Sequence, residues 1–266
     1  MGAGIAQLAC QAGARAVLWD PDPDALSSGV ERVRTGLEKA ASRGVIPDAA
    51  GPFGRLEAAE TSSELAPCEL VIEAAPEVPE LKARLFEELS GIVAEDCVLA
   101  TNTSSLPVTG VAASATHPER VVGMHFFNPV PKMKLVEIVR ALDISEDAIA
   151  VTTSVARRMG KETVLVRESP GFITSRINAM IGNEAFLMLQ EGVATAEDID
   201  KALKLGLNHS MGPFELGDLV GLDTRLSILE YLHRSLGEKY RPCPLLAQYV
   251  KAGRLGRKVG RGVYDY

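Results

Sequence analysis

Short apolar runs alternate with amphipathic helical patterns up to residue 166, and this alternation limits the chain to a small set of folds. Each apolar run has the length and composition of a strand buried on both faces of a parallel sheet. Strands that alternate with helices along a chain predict a doubly wound α/β domain, with helices covering both faces of its sheet. The predicted strands are residues 15–20, 69–74, 97–101, 121–125, 134–139 and 163–166, and the predicted helices are residues 3–13, 24–44, 79–94 and 146–159.

After Pro170 and Gly171 the pattern changes to long helical periodicities, at residues 173–191 and 196–205, without strand patterns between them. We therefore expect two domains. Residues 1–166 form the α/β, Rossmann-like domain, and residues 167–266 form an all-α C-terminal domain.

The charge pattern narrows the classes of partner. The formal charge of -7 comes from acids and bases mixed along the whole chain of 266 residues, without the basic stripe that nucleic acids or anionic membranes require. No apolar run reaches the ~18 residues that span a bilayer, and the N-terminus lacks a signal-peptide pattern. A small-molecule partner and a cytoplasmic location are expected. The four cysteines and four histidines show no metal-ligand spacing, so neither a metal site nor a disulfide is predicted.

The first residues match only part of a dinucleotide-binding pattern. Such a unit opens with a strand, continues with G-x-G-x-x-G and a helix, and has an acid about 20 residues further on. Here Met1 and Gly2 lie directly at the start of a helix, and Asp20 stands where the ribose-binding acid is expected. Gly2 then corresponds to the third glycine, and the first strand and two glycines would lie upstream, through a misassigned start or a true truncation.

The first strand is central in the common strand order of this fold. Its true absence would leave an unpaired position in the sheet, with poor stability and weak NAD binding as the expected result. The alternative is an ordinary helix after an ordinary start methionine, and the first residues alone do not decide between the two.

Several longer motifs resemble the 3-hydroxyacyl-CoA dehydrogenase family, most closely its short bacterial 3-hydroxybutyryl-CoA dehydrogenases. The resemblance covers essentially the whole chain except for the opening strand and turn. The motifs are N-T-S-S-L at 102–106, G-M-H-F-F-N-P-V-P at 123–131, M-K-L-V-E at 133–137, P-G-F-I at 170–173, M-G-P-F-E-L at 211–216, and the ending at 255–264.

The resemblance implies that His125 is the general base of an oxidation, with Glu137 as its orienting partner and Ser104 as a hydrogen-bond donor to the substrate oxygen. These roles suit the chemistry, because an imidazole titrates near neutral pH and a carboxylate on its second nitrogen stabilises the imidazolium. The alternatives are an inert histidine in an aromatic cluster and a serine that only caps a turn. Ser105 is a neighbouring candidate, although the family's spacing selects Ser104.

The resemblance also implies NAD as the cofactor. Asp20 favours NAD over NADP, because a carboxylate accepts both ribose hydroxyls and repels a 2′-phosphate. For Glu77 and Lys82 the alternative is a solvated surface pair. The implied cofactor-binding residues are Gly2, Asp20, Glu77, Lys82, Asn102, Ser104, Asn128 and, more loosely, Lys258.

The implied second partner is an acyl-CoA substrate. Arg43 or Lys39 of the second predicted helix would bind the phosphates of its CoA. The alternative for either residue is a position on a solvated helix face. The chain departs from the family after P-G-F-I, where Ser175 replaces an asparagine that helps to hold the substrate. Asn178, one turn further on, is positioned to compensate. The family commonly dimerises through its helical domain, and the apolar segment 177–189 would supply that surface.

Three functions remain open at this point. The first is an NAD-dependent dehydrogenase of short-chain (S)-3-hydroxyacyl-CoA. The second keeps the fold and the chemistry but acts on another 3-hydroxy acid or on a 3-hydroxydicarboxylyl-CoA. The third is a truncated, non-catalytic relic, against which the presence of Ser104, His125 and Glu137 argues.

Overall fold

A computed structural model describes residues 1–266 and divides into two compact units, Met1–Glu168 and Ser169–Tyr266. The last strand of the first unit continues to Arg167, so the division lies beyond the one expected after residue 166. No helix combines the length and the apolar character that crossing a membrane requires.

The first unit alternates strands and helices, as predicted. Its strands are β1 (Ala16–Trp19), β2 (Leu56–Ala59), β3 (Leu70–Glu73), β4 (Val98–Thr101), β5 (Val121–Phe126), β6 (Leu135–Arg140) and β7 (Glu162–Arg167). Its helices are α1 (Gly2–Gln11), α2 (Pro23–Ser42), α3 (Ala50–Phe53), α4 (Pro79–Ile92), α5 (Val108–Ala112) and α6 (Glu146–Arg158), with 3-10 turns at Ser62–Leu65 and Pro118–Arg120.

One of these strands, β2, is absent from the sequence prediction. Its four residues include Glu57, and only Ala59 is buried, so it lacks the continuous apolar run that marks the other strands. Parallel pairing with β1 stabilises it instead, in a register that sets Ala16 against Leu56 and Trp19 against Ala59. Long-range pairing of this kind overrides weak local patterns.

The strands form two separate sheets, β1-β2 and β3-β4-β5-β6-β7. All neighbours are parallel except β5 and β6. These two are joined by residues 127–134, a connection too short for the crossover that a parallel pair needs. Strands β1 and β3 each have one hydrogen-bonded neighbour, and they are not paired with each other.

The second unit is helical, as predicted. Its helices are α7 (Thr174–Glu191), α8 (Ala196–Gly206), α9 (Pro213–Val220), α10 (Leu222–Leu236) and α11 (Pro244–Lys251), with 3-10 turns at Glu238–Tyr240 and Arg257–Val259. Phe186 of α7 and Phe214 of α9 meet edge to face, with their ring centroids 5.2 Å apart, in a core that Leu222, Leu229 and Leu232 of α10 complete.

Two buried carboxylates hold this unit together. Asp200 of α8 accepts hydrogen bonds from Phe214 N at 2.8 Å and Glu215 N at 3.0 Å, and so caps the first turn of α9. A side chain at Gly212 would place its Cβ 2.2 Å from the Asp200 carboxyl carbon. The M-G-P-F-E-L motif is therefore explained by packing against Asp200.

Asp218 of α9 performs a similar task for the C-terminal segment. Its carboxylate accepts hydrogen bonds from Val263 N and Tyr264 N, both at 2.9 Å, and from the Tyr266 hydroxyl at 3.1 Å. Gly256 lies against the backbone of Asp218 with φ of +97°, where an added Cβ would stand 2.3 Å from the Asp218 carbonyl oxygen. Neither the backbone angle nor the space admits a side chain at Gly256.

We predict that Gly256→Ala lowers the free energy of unfolding by about 3 kcal/mol, because it combines backbone strain with a collision against main-chain atoms. The matched control is Gly253→Ala, at a position where φ is +72° and no atom lies within 4 Å of the added Cβ. Strain alone should cost the control about 1 kcal/mol. Urea unfolding of both variants measures the difference, and equal losses would contradict the explanation.

Candidate active site

His125 and Glu137 form a buried pair at the centre of the larger sheet. They face each other in the antiparallel register of β5 and β6, so their side chains project from the same face. The His125 Nδ1 lies 2.7 Å from a Glu137 carboxylate oxygen, and Glu137 is fully buried. The His125 ring also contacts Phe127, with centroids 4.4 Å apart. Because Glu137 occupies Nδ1, acid–base chemistry at this ring falls to Nε2.

Ser104 lies in a turn that follows β4, and Glu77 organises this turn. One Glu77 carboxylate oxygen accepts hydrogen bonds from Ser104 N at 2.9 Å, Ser105 N at 3.2 Å and the Thr103 hydroxyl at 2.5 Å. The hydroxyls of Ser104 and Ser105 lie 3.3 and 3.4 Å from the same oxygen. Ser104 is half-buried, whereas Ser105 is buried.

The same donors affect the protonation of Glu77. Burial raises the pKa of the Glu77 carboxyl, but the hydrogen bond from Thr103, the positive charge of Lys82 and the amide groups of Ser104 and Ser105 outweigh burial, so the net pKa is lowered. The carboxylate therefore remains ionised at neutral pH, and it can hold the turn through all of its donors.

Lys82 of α4 is almost completely buried, with 1% of its surface exposed. Its ammonium donates to both carboxylate oxygens of Glu73, at 2.7 and 2.9 Å, and lies 3.5 Å from Glu77. The alternative of a solvated surface pair is thus wrong for Lys82. The sequence analysis did not single out Glu73, although a signal was present, since this acid ends an apolar run just as Asp20 does.

Asn102 connects the ends of two strands. Its backbone N–H donates to the Glu73 carbonyl oxygen at 2.8 Å, and its side-chain oxygen accepts from Phe126 N, also at 2.8 Å. The residue therefore ties the carboxyl end of β4 to β3 on one side and to β5, next to His125, on the other.

Asn128 is exposed in the loop after β5, where it precedes Pro129 across a cis peptide bond. Lys161, which the sequence analysis also missed, holds the rest of this loop. Its buried ammonium donates to the carbonyl oxygens of Val130 and Met133, both at 2.6 Å, and burial lowers its pKa. No local sequence signal marks this role, since the contact joins segments about 30 residues apart.

The N-terminus of α1 has the features of an anion site. No side chain caps it, and a Cβ on Gly2 would lie 3.9 Å from Ala74, the residue that follows β3. The tight approach occurs instead at Gly4, where a Cβ would stand 3.0 Å from Val130. Uncapped N–H groups and the helix dipole at such a terminus suit a diphosphate. Asp20, half-buried at the carboxyl end of β1, suits a ribose, so these residues fit a dinucleotide.

The remaining predicted site residues lie in the helical unit or at the end of α2. Lys258 donates to both carboxylate oxygens of Asp223, at 2.7 and 2.6 Å, within the helical unit. Ser175 and Asn178 are half-buried in the first turns of α7, and Lys39 and Arg43 are exposed at the end of α2. The roles of these residues stay predictions.

The motifs and this geometry agree with comparisons to known proteins. The model of the 3-hydroxyacyl-CoA dehydrogenase NAD-binding domain matches residues 1–169, and that of the C-terminal domain matches residues 171–266. The chain belongs to the 3-hydroxyacyl-CoA dehydrogenase family. It is an oxidoreductase of that family, and its first unit is the NAD-binding domain.

Individual relatives match over the full length. The chain is 46% identical to a probable 3-hydroxybutyryl-CoA dehydrogenase of Bacillus subtilis, covering 100% of this chain and 94% of the relative. The crystal structure of (S)-3-hydroxybutyryl-CoA dehydrogenase from Ralstonia eutropha superimposes with a TM-score of 0.97 at 41% identity, over 100% of this chain and 95% of that one. The crystal structure of FadB2 from Mycobacterium tuberculosis superimposes with a TM-score of 0.95 at 40% identity, over 100% of this chain and 95% of that one.

We predict that Asp20→Asn raises the ratio of kcat/KM with NADP⁺ to kcat/KM with NAD⁺ at least tenfold, because it removes the charge that repels a 2′-phosphate. A tenfold change in this ratio corresponds to a free-energy difference of about 1.4 kcal/mol. Asp22→Asn is the matched control. Asp22 caps α2 by accepting a hydrogen bond from Asp24 N at 2.9 Å, and asparagine caps a helix equally well. Steady-state rates with both cofactors give the ratio, and an unchanged ratio in Asp20→Asn would exclude Asp20 from the ribose site.

Proposed function

We propose that this dehydrogenase interconverts short-chain (S)-3-hydroxyacyl-CoA and 3-oxoacyl-CoA, with a four-carbon acyl group as the preferred substrate. The observation that carries the proposal is the buried pair of His125 and Glu137, because its geometry suits reversible proton transfer at a hydroxyl group. Full-length similarity to 3-hydroxybutyryl-CoA dehydrogenases supports the choice of substrate.

In the oxidation direction, His125 Nε2 accepts the proton of the substrate's 3-hydroxyl group as the C3–O bond becomes a carbonyl. The hydride leaves C3 with its electron pair, so the substrate loses one proton and one hydride. Glu137 holds the ring through Nδ1 and stabilises the imidazolium that forms. Ser104 donates a hydrogen bond to the same substrate oxygen. In reduction, the imidazolium returns the proton to that oxygen.

When bound, NAD supplies the acceptor for the hydride. The N-terminus of α1 at Gly2 would hold its diphosphate, and Asp20 would hold the adenosine ribose. Asn128 would lie beside the nicotinamide, as the family resemblance implies. Lys258 is the weakest of these assignments, since its ammonium already pairs with Asp223.

The substrate contacts rest on the resemblance rather than on described geometry. Ser175 and Asn178 would orient the acyl group, with Ser175 offering a single hydroxyl where the family commonly offers an amide. Arg43 and Lys39 would meet the CoA phosphates, and both side chains are accessible at the end of α2.

Turnover of acetoacetyl-CoA with NADH tests the reaction, since the proposal fails if the purified protein does not oxidise NADH with this substrate. Comparison of CoA esters with the free acids, and of 3-hydroxybutyryl-CoA with a 3-hydroxydicarboxylyl-CoA, then separates the alternative substrates. A higher kcat/KM for a free acid or for the dicarboxylyl ester would replace the proposed substrate.

We predict that His125→Ala and Glu137→Gln each lower kcat by about 10²–10⁴, the usual range for loss of a general base or of its orienting carboxylate. His117→Gln is the matched control. His117 also pairs with a glutamate, Glu119 at 3.1 Å, but at the protein surface. Circular dichroism establishes folding for each variant, and stopped-flow reduction of acetoacetyl-CoA gives the rates. Retention of full activity in His125→Ala would remove the general base from the mechanism.

The partner surface that we propose is α7, with a homodimer as the assembly. Ala179 and Phe186 lie on the buried side of this helix, while Ile177 lies on the opposite side, where it is 57% exposed. A helix with apolar residues on both sides is normally buried on both sides.

We predict that Ile177→Glu converts the dimer to a monomer in light scattering, because it places a charge within an apolar contact. Leu205→Glu is the control, since Leu205 of α8 is 77% exposed and lies outside segment 177–189. A monomeric mass for the unmodified protein would refute the dimer itself.

A further inference from the structure

Arg225 interrupts the apolar stripe of α10 at a position where the helical spacing favours a hydrophobic side chain. Leu222, Leu229 and Leu232 lie on the same face of this helix and are fully buried, and Arg225 between them is 6% exposed. An arginine is rarely buried to this extent unless an acid pairs with it. The charge of Arg225 therefore needs a partner that the apolar stripe does not supply.

No acidic side chain of the helical unit pairs with Arg225. The buried acids of the unit are Asp200 and Asp218, and both accept their hydrogen bonds from backbone amides and tyrosine hydroxyls. The other acids of the unit are exposed or paired with a lysine, arginine or histidine. The Arg225 Nε–H has no hydrogen-bond partner.

The guanidinium nevertheless keeps its charge. Burial lowers the pKa of Arg225 to about 10, and no carboxylate raises it again. A group with this pKa is protonated at neutral pH. Because an unpaired charge in a protein interior is costly, the species that offsets it must bring a negative charge.

A small cavity, here called the Arg225 cavity, lies beside this side chain. Its lining comes from four helices of the unit and includes Gly182 and Asn183 of α7, Gly217 of α9 and Leu246 of α11. The space that a sphere the size of a water molecule can enter measures about 10 Å³, which is room for one water molecule or one monatomic ion. A sulfate, a phosphate or the carboxylate of a side chain is too large for this space.

Asn183 is the other polar side chain of the lining. Its Oδ1 accepts a hydrogen bond from Cys243 N at 2.8 Å, and its Nδ2 donates to the Arg241 carbonyl oxygen at 3.0 Å. An amide nitrogen carries two N–H groups, so one of them is left. Arg225 and Asn183 thus both have an N–H group to offer, which suits an anion and disfavours a cation.

We propose that the Arg225 cavity binds a single monatomic, monovalent anion, with chloride as the candidate ligand and the Arg225 Nε–H as its main donor. A water molecule would accept the same hydrogen bond but would leave the charge without compensation. An anion that binds the folded chain and not the unfolded one stabilises the fold by mass action. This site goes beyond the proposed function and does not depend on it.

The test is the Tm of the full chain in sodium chloride up to about 200 mM, balanced with sodium gluconate to constant ionic strength. Gluconate is too large for the cavity. For the unmodified protein we expect a saturating rise in Tm of about 3 °C or more as chloride replaces gluconate. Arg225→Met keeps an unbranched side chain without the charge and should lose this rise. Arg234→Met, the matched control, removes an exposed arginine from the same helix and should keep it.

General effects of the two salts act alike on all three proteins, so the difference between the variants isolates the site. A diffraction experiment keeps the test decisive if Arg225→Met does not fold. Crystals of the unmodified protein grown with sodium bromide should show an anomalous difference peak within hydrogen-bonding distance of the Arg225 Nε.

Three results would overturn the proposal. The first is an equal response to chloride in Arg225→Met and Arg234→Met. The second is a water molecule, or an acidic side chain of a second copy of the chain, beside the Arg225 Nε in the bromide crystals. The third is a bromide peak without a chloride-dependent Tm of the unmodified protein, which would mean binding at crystal concentration only.

Discussion

The antiparallel pairing of β5 and β6 is the constraint on which the candidate active site depends. A parallel neighbour would reach the sheet through a long crossover and present its side chains in a different register. Reversal of the chain over residues 127–134 instead places the first half of β6 beside the last half of β5, so that Glu137 stands opposite His125. The same reversal creates the loop that carries Asn128, and Lys161 anchors this loop to the start of β7.

The motifs of the chain are of two kinds. Some place reactive side chains at the candidate active site, and the others are explained by packing. N-T-S-S and H-F-F-N-P place hydroxyl, imidazole and amide groups at the carboxyl ends of β4 and β5, where ligands bind in this architecture. Gly212 of M-G-P-F-E-L and Gly256 near the end of the chain instead lie against two buried aspartates, Asp200 and Asp218, which leave no space for a Cβ. Sequence similarity does not distinguish the two kinds of motif. The contacts in the structure do.

The sequence predicted the strands other than β2 and the long helices of the first unit, and α7 and α8 of the second, because burial on both faces of a strand or along one face of a helix leaves a clear pattern. It did not predict α9, α10 and α11 individually. It missed β2, whose stability comes from pairing with β1 rather than from its own residues. It also missed Lys161, whose partners are about 30 residues away along the chain, and Glu73, although Glu73 ends an apolar run just as Asp20 does. For the site, the pairing of His125 with Glu137 followed from family motifs, whereas the attachment of the Ser104 turn to Glu77 requires coordinates.

The attachment of the C-terminal segment to Asp218 determines how the helical unit unfolds locally at its end. Three donors from residues 263–266 converge on one carboxylate, and Gly256 lies against the Asp218 backbone without room for a side chain. Contacts that share a single acceptor are lost together, so this segment should not fray residue by residue from its end. It should behave as one cooperative opening unit, whose amides exchange with a common free energy.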